Sequence, residues 1–169
     1  MKDDQQALFI CVDENDKIIG YQTRYECHHN RDIIHRGVDV VLFNNKKDKI
    51  LLQKRSMRKD TYPGFYTVSA SGHVDKGESY KQAAYREMQE ELGIYNCEKI
   101  KLKEAGKYII RLSDESEMTV LFTGTYEGEL QPAIDEVESV VYVGTKELIT
   151  IKESLTPGGK ATLYKLGLL

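Results

Sequence analysis

The sequence predicts an α/β sandwich, and three observations carry that expectation. Short runs rich in Val, Ile, Leu and Tyr recur along the chain at strand length. One central segment, residues 79–92, is dense in Glu, Gln, Ala, Lys and Met, which favour helix. A second helical stretch closes the chain, and strands mixed with two such helices bury their apolar faces in stacked layers. The 169 residues suit a single domain, 1–169, with enough chain to enclose a core.

Taken in order, residues 7–12 (ALFICV) and 17–23 (KIIGYQT) read as two strands around the turn Asp13-Glu14-Asn15-Asp16. Residues 37–43 (GVDVVLF) and 50–54 (ILLQK) make a second expected hairpin around Asn44-Asn45-Lys46-Lys47-Asp48. A looser stretch follows, broken by Pro63, Gly64, Gly72 and Gly77. The helix over 79–92 stops at Gly93, which fits a left-handed C′ position. Strand-like segments then fall at 106–112, 117–126 and 138–143. A short helix starts near Thr145, and a last one runs from Thr156 to Leu166.

Charge and cysteine usage narrow the function classes. With 24 basic against 27 acidic side chains the net charge is −3, so the chain has no basic footprint for a nucleic-acid polymer. The start Met1-Lys2-Asp3-Asp4-Gln5-Gln6 lacks an apolar h-region behind it, and no apolar run is long enough to span a membrane. Cys11, Cys27 and Cys97 are odd in number, far apart and without CxxC spacing. A soluble cytoplasmic domain with three reduced thiols is expected.

At ~100° per residue, Tyr85, Met88 and Leu92 share the face that the central helix should bury, with Ala84 at its border. Glu87, Glu90 and Glu91 stand at i, i+3 and i+4, so their carboxylates cluster on another face. They repel one another and sit near the helix C-terminus, where the macrodipole disfavours anions. Arg86 relieves Glu90 by an i, i+4 pair but cannot serve all three. Glu78 reads as a first-turn acid favoured by the same dipole. The costly cluster is either a solvated face or a divalent-cation site, since hard cations want several carboxylate oxygens.

Residues 72–94, GHVDKGESYKQAAYREMQEELGI, decide between these readings. Gly72, Glu78, Arg86-Glu87, apolar Met88, Glu90-Glu91, Gly93 and Ile94 fill every fixed position of a pattern that resembles the Nudix box. The resemblance implies an α/β/α sandwich with a mixed sheet, and a loop–helix–loop that holds Mg²⁺ or Mn²⁺. Its members cleave a nucleoside diphosphate linked to another moiety: water attacks phosphorus while metals neutralise the developing charge. Carried over by position, Glu87 and Glu91 are principal metal ligands and Glu90 a further or water-mediated one. Arg86 orients a carboxylate, and Gly72 brings its backbone to the metal. The general base is Glu87, Glu90 or a carboxylate outside the box.

From Leu8 to Phe122 the chain also resembles the Nudix branch that includes type I isopentenyl-diphosphate isomerase. Val12-Asp13-Glu14, Gly20, 28–35, Leu51 to Arg55, Lys59, Tyr62-Pro63-Gly64 and Ser71-Gly72-His73 carry that likeness. The resemblance implies a second metal set at His28, His35, His73, Glu115 and Glu117, and a diphosphate clamp at Arg55 and Lys59. The isomerase's acid Cys falls on Ser71, its sheltering Trp near Gly158, and this chain has no Trp. Its box is degenerate, whereas the box here is intact. The expectation is therefore hydrolysis of a phosphoanhydride in a small-molecule substrate, a nucleoside di- or triphosphate or a nucleotide conjugate. Allylic isomerisation and a non-catalytic nucleotide sensor are the alternatives. Tyr62, Phe65, Tyr66 and Tyr108 either stack a base or fill core, and the N-terminal segment is a candidate seam for a homodimer.

Overall fold

The computed structural model describes residues 4–169; residues 1–3, the head of the stretch read for a targeting signal, lie outside the described residues. Strands β1 (Leu8–Val12) and β2 (Ile18–Thr23) form the first expected hairpin, followed by a one-turn helix, α1 (Arg24–Cys27). Next come β3 (Ile34–Phe43), β4 (Lys49–Arg55), β5 (Tyr66–Thr67) and β6 (Ala70–His73). The central helix is α2 (Tyr80–Leu92), and β7 (Lys103–Arg111), β8 (Ser116–Thr125) and β9 (Val137–Gly144) follow it. Helices α3 (Thr145–Thr150) and α4 (Pro157–Lys165) end the chain.

Helix α2 is delimited by its own sequence. Ser79 accepts a hydrogen bond from the Gln82 amide while the Gln82 side chain reaches back to Ser79, a capping box. Gly93 closes the other end at φ 64°. Glu78 thus precedes the cap instead of occupying the first turn, and it is bonded to Arg86, not steered by the dipole.

Strand β3 organises the sheet. Its whole length pairs parallel with β8 along one edge. The other edge meets three partners in succession: β1 at Ile34 and His35, β6 from Gly37 to Val40, and β4 only at Phe43. The second expected hairpin is therefore barely a hairpin, because β4 pairs along its length with β9 instead. Ser69 explains the parting. Its hydroxyl accepts from the Leu42 amide at 2.8 Å and donates to the Leu51 carbonyl at 2.6 Å, filling the rung that Leu42 and Leu51 would have closed.

Period-two alternation along β3 divides the core. Val38, Val40 and Leu42 pack with Ala84, Met88 and Leu92 of α2. Val41 faces the opposite way, into a cluster with Leu52, Leu121, Leu148 of α3 and Leu163 of α4. Full burial of a side chain such as Met88 or Leu92 contributes roughly 1.5–3 kcal/mol, so this stripe fixes how α2 lies on the sheet. The result is a mixed α/β sheet, nine strands among the described residues, with α2 on one face and α3 and α4 on the other. No helix of the described residues is long and apolar enough to cross a membrane.

Two expectations change in this frame. Cys11 and Cys27 are distant in sequence but their sulfurs lie 4.0 Å apart, both buried beside Phe9, because β1 and α1 fold together. Tyr66 and Tyr108 pack on the α4-side cluster, whereas Tyr62 and Phe65 are exposed and meet edge to face.

Candidate functional site

A cleft of about 470 Å³ opens where β3 and β4 part. Its floor comes from β3, β6 and β8, one wall from α2, and its rim from the segment after β4 and the start of α4. Nearly all the site residues expected from the sequence reach this one space: His28, Arg55, Lys59, Ser71, Gly72, His73, Glu87, Glu90, Glu91, Glu115, Glu117 and Gly158 line it. His35 lies just beneath, fully buried.

Glu87 and Glu91 are buried, and Glu90 is not. Gly72 makes the entry of Glu87 possible, since a Cβ there would stand 2.0 Å from Glu87 Oε1. Glu91 Oε2 accepts from Gln53 Nε2 at 2.7 Å and from the Ser71 amide at 3.0 Å. Burial and the neighbouring Glu91 push Glu87 up to about 8 against the pull of Arg86. Burial also pushes Glu91 up to about 7, although its two donors favour the charged form. Arg86 bridges Glu78, Glu87 and Glu90 and donates to the His73 carbonyl, so it serves two of the three clustered glutamates and misses Glu91. With Glu90 drawn outward to Arg86, the three box carboxylates do not gather their oxygens into one compact ligand set.

The His–Glu set does gather. Ring nitrogens of His28, His35 and His73 lie within 4.8 Å of one another, as do ligand atoms of His35, Glu115 and Glu117. Gly37 leaves the space for Glu117, whose Oε2 a Cβ there would meet at 2.7 Å. Neither nitrogen of the buried His35 has a hydrogen-bond partner among the described residues, and Glu117 Oε1 is 3.7 Å away. Buried polar atoms left without partners are costly and call for an absent ligand. Burial, then the other cations and imidazoles, lower His28 to about 3 and His73 to about 4. Burial would raise Glu117, yet the imidazoles of His35 and His73 hold it well below the usual carboxylate range. Glu115, beside it, is pushed up to about 7 by burial and by the Glu117 charge.

Arg55 is braced on Thr61 and Lys59 on Glu136, both at the cleft rim. Gly158 stands at the opposite lip with nothing within 4 Å of where a Cβ would be. Among the buried polar residues of the site that the sequence does not single out are Gln53, which holds Glu91, and Asp39, on the cleft floor. For Asp39 the signal was present, because it is a lone polar residue inside the apolar run of β3; Gln53 opens the polar end of β4, before Lys54 and Arg55.

The NUDIX domain family matches residues 33–166. Isopentenyl-diphosphate delta-isomerase 2 of Homo sapiens is 34% identical over 88% of this chain and 74% of its own length. An uncharacterized Nudix hydrolase of Pseudomonas aeruginosa is 30% identical over 80% of this chain and 78% of its own. In structure, DR0079 from Deinococcus radiodurans superposes with a TM-score of 0.77 at 18% identity, covering 95% of this chain and 98% of that one. The chain belongs to the Nudix family, with isopentenyl-diphosphate isomerases and Nudix hydrolases both among its relatives.

Proposed function

We propose that the chain is a divalent-metal-dependent hydrolase that cleaves a phosphoanhydride bond in a nucleoside di- or triphosphate or a nucleoside-diphosphate-linked compound. The observation that carries this reading is the buried pair Glu87 and Glu91, set in a cleft whose rim is basic. Two carboxylates taken out of water side by side resist ionising together, and a hard cation relieves that cost. Glu87 and Glu91 would hold Mg²⁺ or Mn²⁺, with Glu90 and the Gly72 backbone as further contacts. Such an ion supplies Lewis acidity at the phosphoryl oxygens and acidifies bound water. Arg86 positions Glu87, while Arg55 and Lys59 bind phosphate oxygens, for which Lys and Arg are the expected donors. Glu87, Glu90 or a carboxylate outside the box takes the proton of the attacking water.

Phosphorus NMR of a panel of nucleotides, nucleotide sugars, dinucleotide cofactors and isoprenoid diphosphates tests the reading, because it identifies both the substrate and the bond broken. No cleavage of any nucleotide compound with Mg²⁺ or Mn²⁺ would sink it. The reading treats residues 1–169 as one cytoplasmic unit, with the exposed Ile18, Ile19 and Tyr21 of β2 as the seam of a homodimer. Light scattering that returns the same monomer mass for wild type and Ile19→Asp rules out that seam.

One observation favours a second reading, allylic isomerisation of an isoprenoid diphosphate: the His28, His35, His73, Glu115 and Glu117 set is assembled. Against it, Ser71 is a far weaker acid than a thiol, and Gly158 offers no aromatic wall to a carbocation. Incubating isopentenyl diphosphate in deuterium oxide decides, since deuterium uptake with no phosphate release would establish isomerisation.

A further inference from the structure

Asp39 is at odds with its strand. It interrupts the apolar run Val38-Asp39-Val40-Val41-Leu42 in the middle of β3, and it is buried. The Thr162 hydroxyl of α4 meets Asp39 Oδ2 and, at 3.1 Å, the Gly158 carbonyl, and Tyr108 donates to Thr162 Oγ1 at 3.1 Å, so one carboxyl oxygen is already engaged. Among the described residues Oδ1 accepts no hydrogen bond, and Asp39 lines the cleft. Its in-register neighbour on β6 is Ser71, which also lines the cleft and whose hydroxyl likewise has no partner among the described residues. In-register residues of an antiparallel pair stand about 4.5–5.5 Å apart, so the two side chains form one polar patch.

The patch has a definite place. Burial raises Asp39 to about 7 against the Thr162 hydrogen bond, and the charges of Glu117 and Glu91 add to the rise. Asp39 lines the same cleft as the box carboxylates and as His28, His73, Glu115 and Glu117. A diphosphate held at Arg55 and Lys59 would lay its attached group over this floor, with the open space at Gly158 above it. Unpartnered polar groups inside a cleft favour a ligand that brings hydrogen bonds and penalise one that covers them with hydrocarbon.

We propose that Asp39 and Ser71 form a hydroxyl-reading subsite that selects a diphosphate carrying a polyhydroxylated, sugar-like group over one carrying an isoprenoid chain. The inference rests on the reading of Arg55 and Lys59 as the diphosphate end of the cleft. Ribose 5-diphosphate and isopentenyl diphosphate test it, because both present five carbons on a diphosphate and they differ in hydroxyls. Calorimetry with Ca²⁺ in place of Mg²⁺ measures binding of each to wild type, Asp39→Val, Asp39→Ala and Asp39→Asn. The wild type is expected to favour the ribose compound at least about tenfold, the scale of one net hydrogen bond. Asp39→Val, or Asp39→Ala should the valine protein not fold, abolishes that preference, whereas Asp39→Asn keeps most of it. Equal or tighter binding of isopentenyl diphosphate by the wild type, no binding of the ribose compound, or an unchanged preference in the valine or alanine protein overturns the subsite. Release of phosphate with Mg²⁺ is scored separately, so failure of hydrolysis is distinguished from failure of selection.

Discussion

The cleft holds two charged constellations built on opposite principles. Glu87, Glu90 and Glu91 all come from α2, and a built-in cation, Arg86, ties Glu87 and Glu90, but not Glu91, to Glu78. The His–Glu set is drawn from the residue after α1, from β3, β6 and β8, and from the turn before β8, and is packed under Phe9, whose ring stacks on His73 at 4.1 Å. Its lowered imidazoles are neutral at pH 7, the form that coordinates metal. In the first, burial holds Glu87 and Glu91 toward the protonated form. In the second, His28 and His73 are already neutral, and both His35 nitrogens are without partners among the described residues.

Substitutions that strike one constellation and spare the other sharpen this contrast. Glu91→Gln should lose at least about 10²-fold in turnover, the scale of one lost electrostatic stabiliser. Near-normal turnover of the folded variant on its best substrate would remove Glu91 from the metal site. Gly72→Ala should lose at least about tenfold, about 1.4 kcal/mol, because its Cβ displaces the Glu87 carboxylate. A wild-type rate there would break the link between the glycine and Glu87.

At the other constellation, His35→Leu should raise metal-free stability by about 1 kcal/mol, since two orphaned nitrogens leave a buried site. It should also reduce bound Mn²⁺ from two ions to one by metal analysis. Unchanged stoichiometry would mean that the imidazoles hold no ion.

The smallest expected effect is on pH dependence. Glu87 at about 8 and Glu91, Glu115 and Asp39 at about 7 keep their protons to higher pH in the folded chain than in the unfolded one. Their stabilising contribution is full below the unfolded values and is lost as pH rises through 7 to 8. The lowered His28 and His73 act in the opposite sense, but only below the unfolded imidazole value near 6.5. Between pH 6.5 and 8.5 the raised carboxyls outweigh the imidazoles, and the metal-free melting temperature should fall by at least about 2 °C. Saturating Mn²⁺ should cancel most of that fall by pairing with the ionised carboxylates. A melting temperature that rises over this range in the absence of metal would contradict the burial of these groups.

The contrast also governs what the chain discloses before it is folded. Helix α2, its Ser79 and Gly93 boundaries and its carboxylate spacing are local, so composition and period reveal them. The box lies within 23 consecutive residues, from Gly72 to Ile94, for the same reason. The His–Glu ligands are spread from residue 28 to residue 117, so no local pattern links them, and only the family resemblance pointed to the set. The short reach of the second hairpin has a similar cause. Its two strands look ready to pair, but Ser69, many residues downstream, inserts between Leu42 and Leu51. Cys11 and Cys27 meet only because α1, too short to carry a helical period, folds against β1. Asp39 was visible as a polar residue in an apolar strand, but nothing local says which face of the sheet it would occupy, and Gln53, beside Lys54 and Arg55, does not stand out at all.

The central claim is that the cleft cleaves a phosphoanhydride by attack of water on phosphorus. Turnover of the best panel compound in oxygen-18-labelled water, followed by phosphorus NMR, tests it most directly. The expected result is one phosphoryl product carrying the isotope shift, formed only with Mg²⁺ or Mn²⁺ and lost in Glu91→Gln. An intact diphosphate across the nucleotide panel, together with deuterium entering isopentenyl diphosphate in a parallel deuterium oxide incubation, would contradict it.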